Sequence, residues 1–205
     1  DYLAGKYTYA QTMRRYAETF DVETARRVYA RLRELGTAVS PTLYGSTTLA
    51  NLDLDDHSHD AGLAYVGPGI RATYAWRVQR AAQATPQQVA DRHFVKDVTA
   101  RTLPMLRDAG VVILTGTDAG FLNSFNYPGF SLHDELELYV KLGLTPREAL
   151  MGSVVDGPLF LNQGARYGAV AAGKSADLLV LEADPLADVS ATRRIADVVL
   201  RGRLI

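Results

Sequence analysis

Val111-Val112-Ile113-Leu114-Thr115 is an uninterrupted run of aliphatic and β-branched residues, closed by Gly116-Thr117-Asp118-Ala119-Gly120. A strand with one wet face would alternate polar and apolar residues. This one does not, so it is expected in a parallel sheet covered on both faces. Parallel neighbours require crossover connections, usually helical, which places the chain in the α/β class. Asp118 then falls at the C-terminal end of a buried strand, where catalytic groups gather in barrels and open α/β sheets. Gly116 and Gly120 let the backbone turn tightly around it. A carboxylate there can bind a cation, accept a proton from metal-bound water, or do both. On position alone it serves equally well as a cap of the strand or of the following helix.

The rest of the chain supplies helices on either side. Residues 9–20 and 22–35 have helical spacing, the second capped by Asp21, closed by Gly36 and striped by Val22, Ala25, Val28, Tyr29, Leu32 and Leu35. Thr37–Leu43 is expected as a short buried strand, and 44–68 as a long polar loop of the kind that forms lids or rims. Helices are expected at 70–84 and from Pro86 to about Asp108, with Thr85 and Gln88 as a capping box and Pro104 as an interruption. After the Asp118 loop, helices follow at 131–142 and 146–153, the latter opened by Thr145, Pro146 and Glu148. From residue 164 the texture becomes strands and turns, with runs at 177–181 and 196–200.

Composition narrows the partners. With 22 basic and 23 acidic residues and a net charge of −1, the chain has no basic excess for nucleic acid or an anionic membrane surface. It contains no Cys, which excludes disulfides and thiol nucleophiles. No apolar run reaches the roughly 20 residues a membrane helix needs. Cytoplasmic and exported locations both stay open.

Four blocks, taken together in order, resemble the C-terminal half of the amidohydrolase superfamily, in its imidazolonepropionase-like and Xaa-Pro dipeptidase-like branch. They are 111–120, Leu142–Leu150, Tyr167–Leu181, and the pair Asp184-Pro185-Leu186 and Val198–Arg203. The resemblance implies part of a (β/α)8 TIM barrel over residues 1–163, with 37–43 and 111–117 as its seventh and eighth strands. Residues 164–205 would be a segment of a small β-sandwich. It also implies one or two divalent metals, usually zinc, and hydrolysis of C–N bonds in peptides, amides or cyclic amides by metal-activated water. Asp118 would be metal ligand and general base. The remaining family ligands, a His-x-His pair, a Lys or Glu and single His residues, would precede residue 1. A full barrel needs roughly 250 residues, and the chain opens at Asp1 without an initiator Met. The expectation is therefore a half-barrel that needs a complementary N-terminal half, or else a non-catalytic fragment, with open strand edges and a possible homo-oligomer.

The substrate, a small molecule or peptide, is expected to meet Tyr44, just past the earlier strand, and Asn123 and Tyr127 in the loop after Asp118. That loop also carries Phe121, Phe125 and Asn126. His133, opening the next helix, is expected behind Asp118 as a hydrogen-bond partner, with a plain helix-start role as the alternative. Asp56-His57-Ser58-His59-Asp60 contains a His-x-His, but no apolar strand precedes it, so it is expected to order its loop and not to bind metal. His93, beside Phe94, is expected to pack within a helix.

Overall fold

The computed structural model describes residues 2–120 and 123–205; Phe121 lies outside them. Helices α1 (Tyr9–Glu18) and α2 (Val22–Glu34) lead to strand β1 (Ala38–Val39). Thr8 and Gln11 form a capping box on α1, and Asp21 accepts the Thr24 N–H at 2.6 Å to cap α2. Of the α2 stripe only Ala25 is buried, whereas Val22, Val28 and Leu35 are exposed.

Helices α3 (Leu43–Ala50), α4 (Pro68–Ala82), α5 (Pro86–Ala100) and α6 (Thr102–Asp108) then connect β1 to β2 (Val112–Ile113). The strands pair in parallel, Ala38 with Val112 and Val39 with Ile113, and Leu114 N–H extends the ladder to Val39 O at 2.8 Å. This is the parallel α/β arrangement expected from the apolar run, but both strands are shorter than 37–43 and 111–115. The earlier one stops because the chain turns at Thr42, φ 50°, directly into α3. The segment 44–68 is accordingly not a plain loop: it holds most of α3 and a 3-10 turn at Ala61–Tyr65. The long helix expected to Asp108 breaks at Arg101, before Pro104, which sits in the first turn of α6 where its missing N–H costs little.

Helices α7 (Phe130–Lys141), α8 (Pro146–Val154) and α9 (Asp156–Phe160) follow β2. Thr145 and Glu148 form the expected capping box of α8. Close packing of α8 on β2 depends on Gly152, where a Cβ would lie 2.5 Å from Ile113 O. The tail forms an antiparallel sheet of β3 (Leu178–Leu181), β4 (Ile195–Leu200) and β5 (Arg203–Leu204). Arg201 and Gly202, φ 51° and 77°, turn β4 into β5 with the positive dihedrals a two-residue hairpin loop favours.

One core gathers Leu43, Leu103, Leu136, Tyr139, Leu144, Ala149 and Val189, joining α3, α6, α7, α8 and the tail. A second joins Tyr74, Phe125 and Tyr127. The tail is anchored by a 3-10 turn at Val189–Arg193, whose Arg193 reaches Asp134 at 2.5 Å and Glu137 at 2.7 Å on α7. His93 does more than pack: its Nε2 lies 2.9 Å from Asp53 Oδ2, tying α5 to the turn after α3. No helix among the described residues is long and apolar enough to cross a membrane.

Candidate active site around Asp118

Asp118 lies five residues past the end of β2, with φ 51°, a left-handed conformation that short polar side chains tolerate better than others. Its carboxylate is exposed, as a ligand-facing group must be. Asn123 closes the turn: its Nδ2 donates to Asp118 O at 2.6 Å and to Asp118 Oδ2 at 3.0 Å. The neighbouring amide, Asn126, is 1% exposed and donates to Thr117 O. Two asparagines thus hold the backbone on either side of the aspartate's Cα. Asn123, expected from sequence to meet substrate, uses its Nδ2 to orient Asp118.

The opposite wall comes from the segment after β1. Gly45 sits so close to the Asp118 loop that a Cβ would lie 2.8 Å from Asn126 Nδ2 and 3.6 Å from Thr117 O. Tyr44, one residue earlier, is partly buried, with Thr48, Asp60 and Asp134 as its electrostatic neighbours. Burial first, then the Asp134 carboxylate, push its phenol up to about 12. It is therefore a neutral hydroxyl throughout the neutral range. Tyr127 is buried and donates its hydroxyl to Asp60 Oδ2 at 2.9 Å. Burial and that bond hold its phenol well above the ordinary tyrosine value. Tyr127, expected from sequence as a substrate contact, has its hydroxyl proton engaged by Asp60.

His57 joins the same wall. Its ring stacks on Phe125, centroids 4.4 Å apart, and its Nδ1 lies 2.9 Å from Asp60 Oδ2. Asp60 ties the loop after α3 to the loop after Asp118 through Tyr127, while its contact with His57 stays within its own loop.

His133 does not stand behind Asp118. Its Nδ1 lies 2.9 Å from Thr192 Oγ1 in the tail, and burial, reinforced by Arg193, pushes its imidazole below the usual value. The helix direction explains the correction, since at this turn of α7 it is Glu135 that faces the strand ends. Glu135 is 0% exposed; its Oε1 accepts Leu43 N–H at 2.8 Å and its Oε2 accepts Tyr44 N–H at 2.5 Å. Sequence reasoning missed it, although the signal was there: Leu132, Glu135, Leu136 and Tyr139 fall on one helical face, with a carboxylate at a core position.

Among the described residues no group of three His, Asp or Glu side chains is placed to hold a metal. Asp118 on its own could fill one place in a coordination sphere: Asn123 donates to Oδ2, and the residue is exposed.

The sequence profile of the amidohydrolase family matches residues 10–205. The chain belongs to the amidohydrolase family. It is 26% identical over 184 residues to an imidazolonepropionase of Syntrophobacter fumaroxidans, covering 81% of this chain and 38% of that protein. Among solved structures, a candidate prolidase from Bifidobacterium longum superposes with a TM-score of 0.59 at 29% identity, over 82% of this chain and 35% of that one. A Xaa-Pro dipeptidase with bound methionine shares the fold, TM-score 0.60 at 20% identity, over 85% of this chain and 36% of that one. The chain thus spans little more than a third of the length of these relatives.

Proposed function

We propose that this chain is part of a metal-dependent amidohydrolase that cleaves C–N bonds of peptides, amides or cyclic amides, with Asp118 as metal ligand and general base. The observation that carries the reading is the Asp118 turn itself: an exposed aspartate in the loop that follows a parallel strand, oriented by Asn123. The family match and the likeness to imidazolonepropionase and prolidase-like proteins support it. In this reading β1 and β2 are the seventh and eighth strands of a barrel formed in part by residues 1–163, and 164–205 belong to a β-sandwich.

A divalent cation, zinc above all, would supply a water acidified to a pKa of about 7. Asp118 would be its ligand in this chain, and the other ligands would come from outside residues 1–205. With the metal bound, Asp118 would be placed to accept a proton from the nucleophilic water and to hand it on to the leaving nitrogen. Tyr44, neutral at pH 7, offers a hydroxyl to the substrate. The Tyr127, Phe125 and His57 wall excludes water from one side.

A second reading, a non-catalytic half that requires a complementary N-terminal half, is favoured by the span: 38% of the imidazolonepropionase. Metal analysis and hydrolysis of a Xaa-Pro dipeptide, with and without a complementary half, separate the two. In the active protein Asp118→Asn is expected to lower kcat by about 10²- to 10⁴-fold; full activity in that variant would exclude Asp118 as the base.

A further inference from the structure

A carboxylate removed from water is unfavourable unless hydrogen bonds replace its hydration, and stability alone would be served as well by an apolar side chain of similar size. Glu135 is 0% exposed and sits among Leu132, Leu136 and Tyr139 on α7. Both its oxygens are used on one target, the N–H groups of Leu43 and Tyr44. These are the first two donors of α3, which intrahelical bonding leaves unsatisfied. Thr42, in the left-handed region, makes no side-chain cap for them. Glu135 thus performs an N-cap's task from another helix, with its charge at the positive end of α3.

One turn further along α7, Tyr139 donates its hydroxyl to Leu114 O at 3.2 Å, where β2 ends. Residues four apart on one helix therefore grip the exits of both parallel strands. Gly45, next in chain after the gripped amides, is wedged against Asn126 and Thr117 O, beside Asp118.

We infer that Glu135 is a positioning residue: it holds the backbone of Leu43 and Tyr44, and so sets where Tyr44 stands relative to Asp118. That this placement governs substrate binding rests on the function proposed above; the hold on the backbone does not.

The test is amide hydrogen exchange on the full chain, followed by NMR, for Glu135→Gln and Glu135→Asp. A glutamine places an NH2 group where a backbone N–H needs an acceptor. Exchange at Leu43 and Tyr44 is expected to accelerate at least about tenfold in Glu135→Gln, with α5 and α8 unchanged. Glu135→Asp, which keeps the charge, is expected to recover part of that protection. Unchanged exchange at the two amides, or a uniform rise across the chain, would overturn the proposal. In the metal-loaded enzyme that contains this chain, Glu135→Gln is expected to raise KM about tenfold with little change in kcat, and to add nothing to Tyr44→Phe. A fall in kcat with KM unchanged would overturn the link to Tyr44. If the unsubstituted protein hydrolyses no amide, the proposed function fails, and the exchange result still decides whether Glu135 holds the α3 backbone.

Discussion

At the scale of single residues, the site is organised by side chains that hold backbone. Asn123 and Asn126 fix the turn carrying Asp118, and Glu135 fixes the start of α3. His133 has a separate duty and a measurable signature. Its imidazole is held below the ordinary 6.5, chiefly by burial. A depressed value in the folded state means that the unfolded chain binds the proton first as the pH falls. Stability contributed by neutral His133 is thus present above pH 6.5 and lost as the pH drops through the lowered value. Thermal melts between pH 7.5 and 5 are expected to show a shallower acid loss in His133→Gln than in the unsubstituted chain; parallel curves would count against this. Asp118 is singled out in sequence because a carboxylate between glycines after an apolar run has a local signature. Glu135 shows locally only as a carboxylate on the apolar face of α7; its partners, 92 and 91 residues away, have no local pattern that points to them.

At the scale of elements, legibility followed local signals, and α4 and α7, which have no side-chain cap, are expected from sequence at 70–84 and 131–142 all the same. Helices α1, α2, α5 and α8 carry their own caps in Thr8, Asp21, Thr85 and Thr145 and were visible from sequence. Helix α3 was not: Leu43-Tyr44-Gly45-Ser46-Thr47-Thr48 is poor in helix formers, and its cap comes from α7. The strands are shorter than the apolar runs suggest: Ser40 is exposed and the chain turns at Thr42, and Val112 is exposed within a run expected to be covered on both faces. Glycines test the packing between elements. Gly152→Ala gains helix propensity of up to about 1 kcal/mol, but its Cβ would meet the backbone oxygen of Ile113 at 2.5 Å and Thr115 N at 3.1 Å, and backbone cannot yield cheaply. Overpacking of about 1–3 kcal/mol is expected to win, lowering Tm by several degrees. Gly69 in α4 has nothing within 4 Å of its Cβ position. There Gly→Ala is expected to raise Tm slightly, and a rise in both variants would refute the close α8–β2 approach.

At the scale of the whole molecule, buried and exposed apolar surface are unevenly divided. Two cores hold the strands, α7 and the rim together, while Leu179, Val198 and Leu200 on one face of the tail sheet are exposed, as is Val112 in the parallel pair. Exposed apolar sheet faces and unpaired strand edges favour association. The sedimentation coefficient of the chain is expected to rise with concentration, and less so when Leu179 and Leu200 are replaced by Lys; one species at every concentration would contradict this. The family and the α/β class could be read from the linear order of four motifs, but the docking of the tail on α7 through Arg193 and Thr192 could not. The grip of Glu135 on α3 also has a temporal side. Translation runs from N to C at about 5–20 residues per second, so the 92 residues between Leu43 and Glu135 take roughly 5 to 18 s to synthesise. Throughout that interval the amides of α3 have only solvent to bond, and the wall opposite Asp118 takes its final shape after the nascent chain has delivered α7.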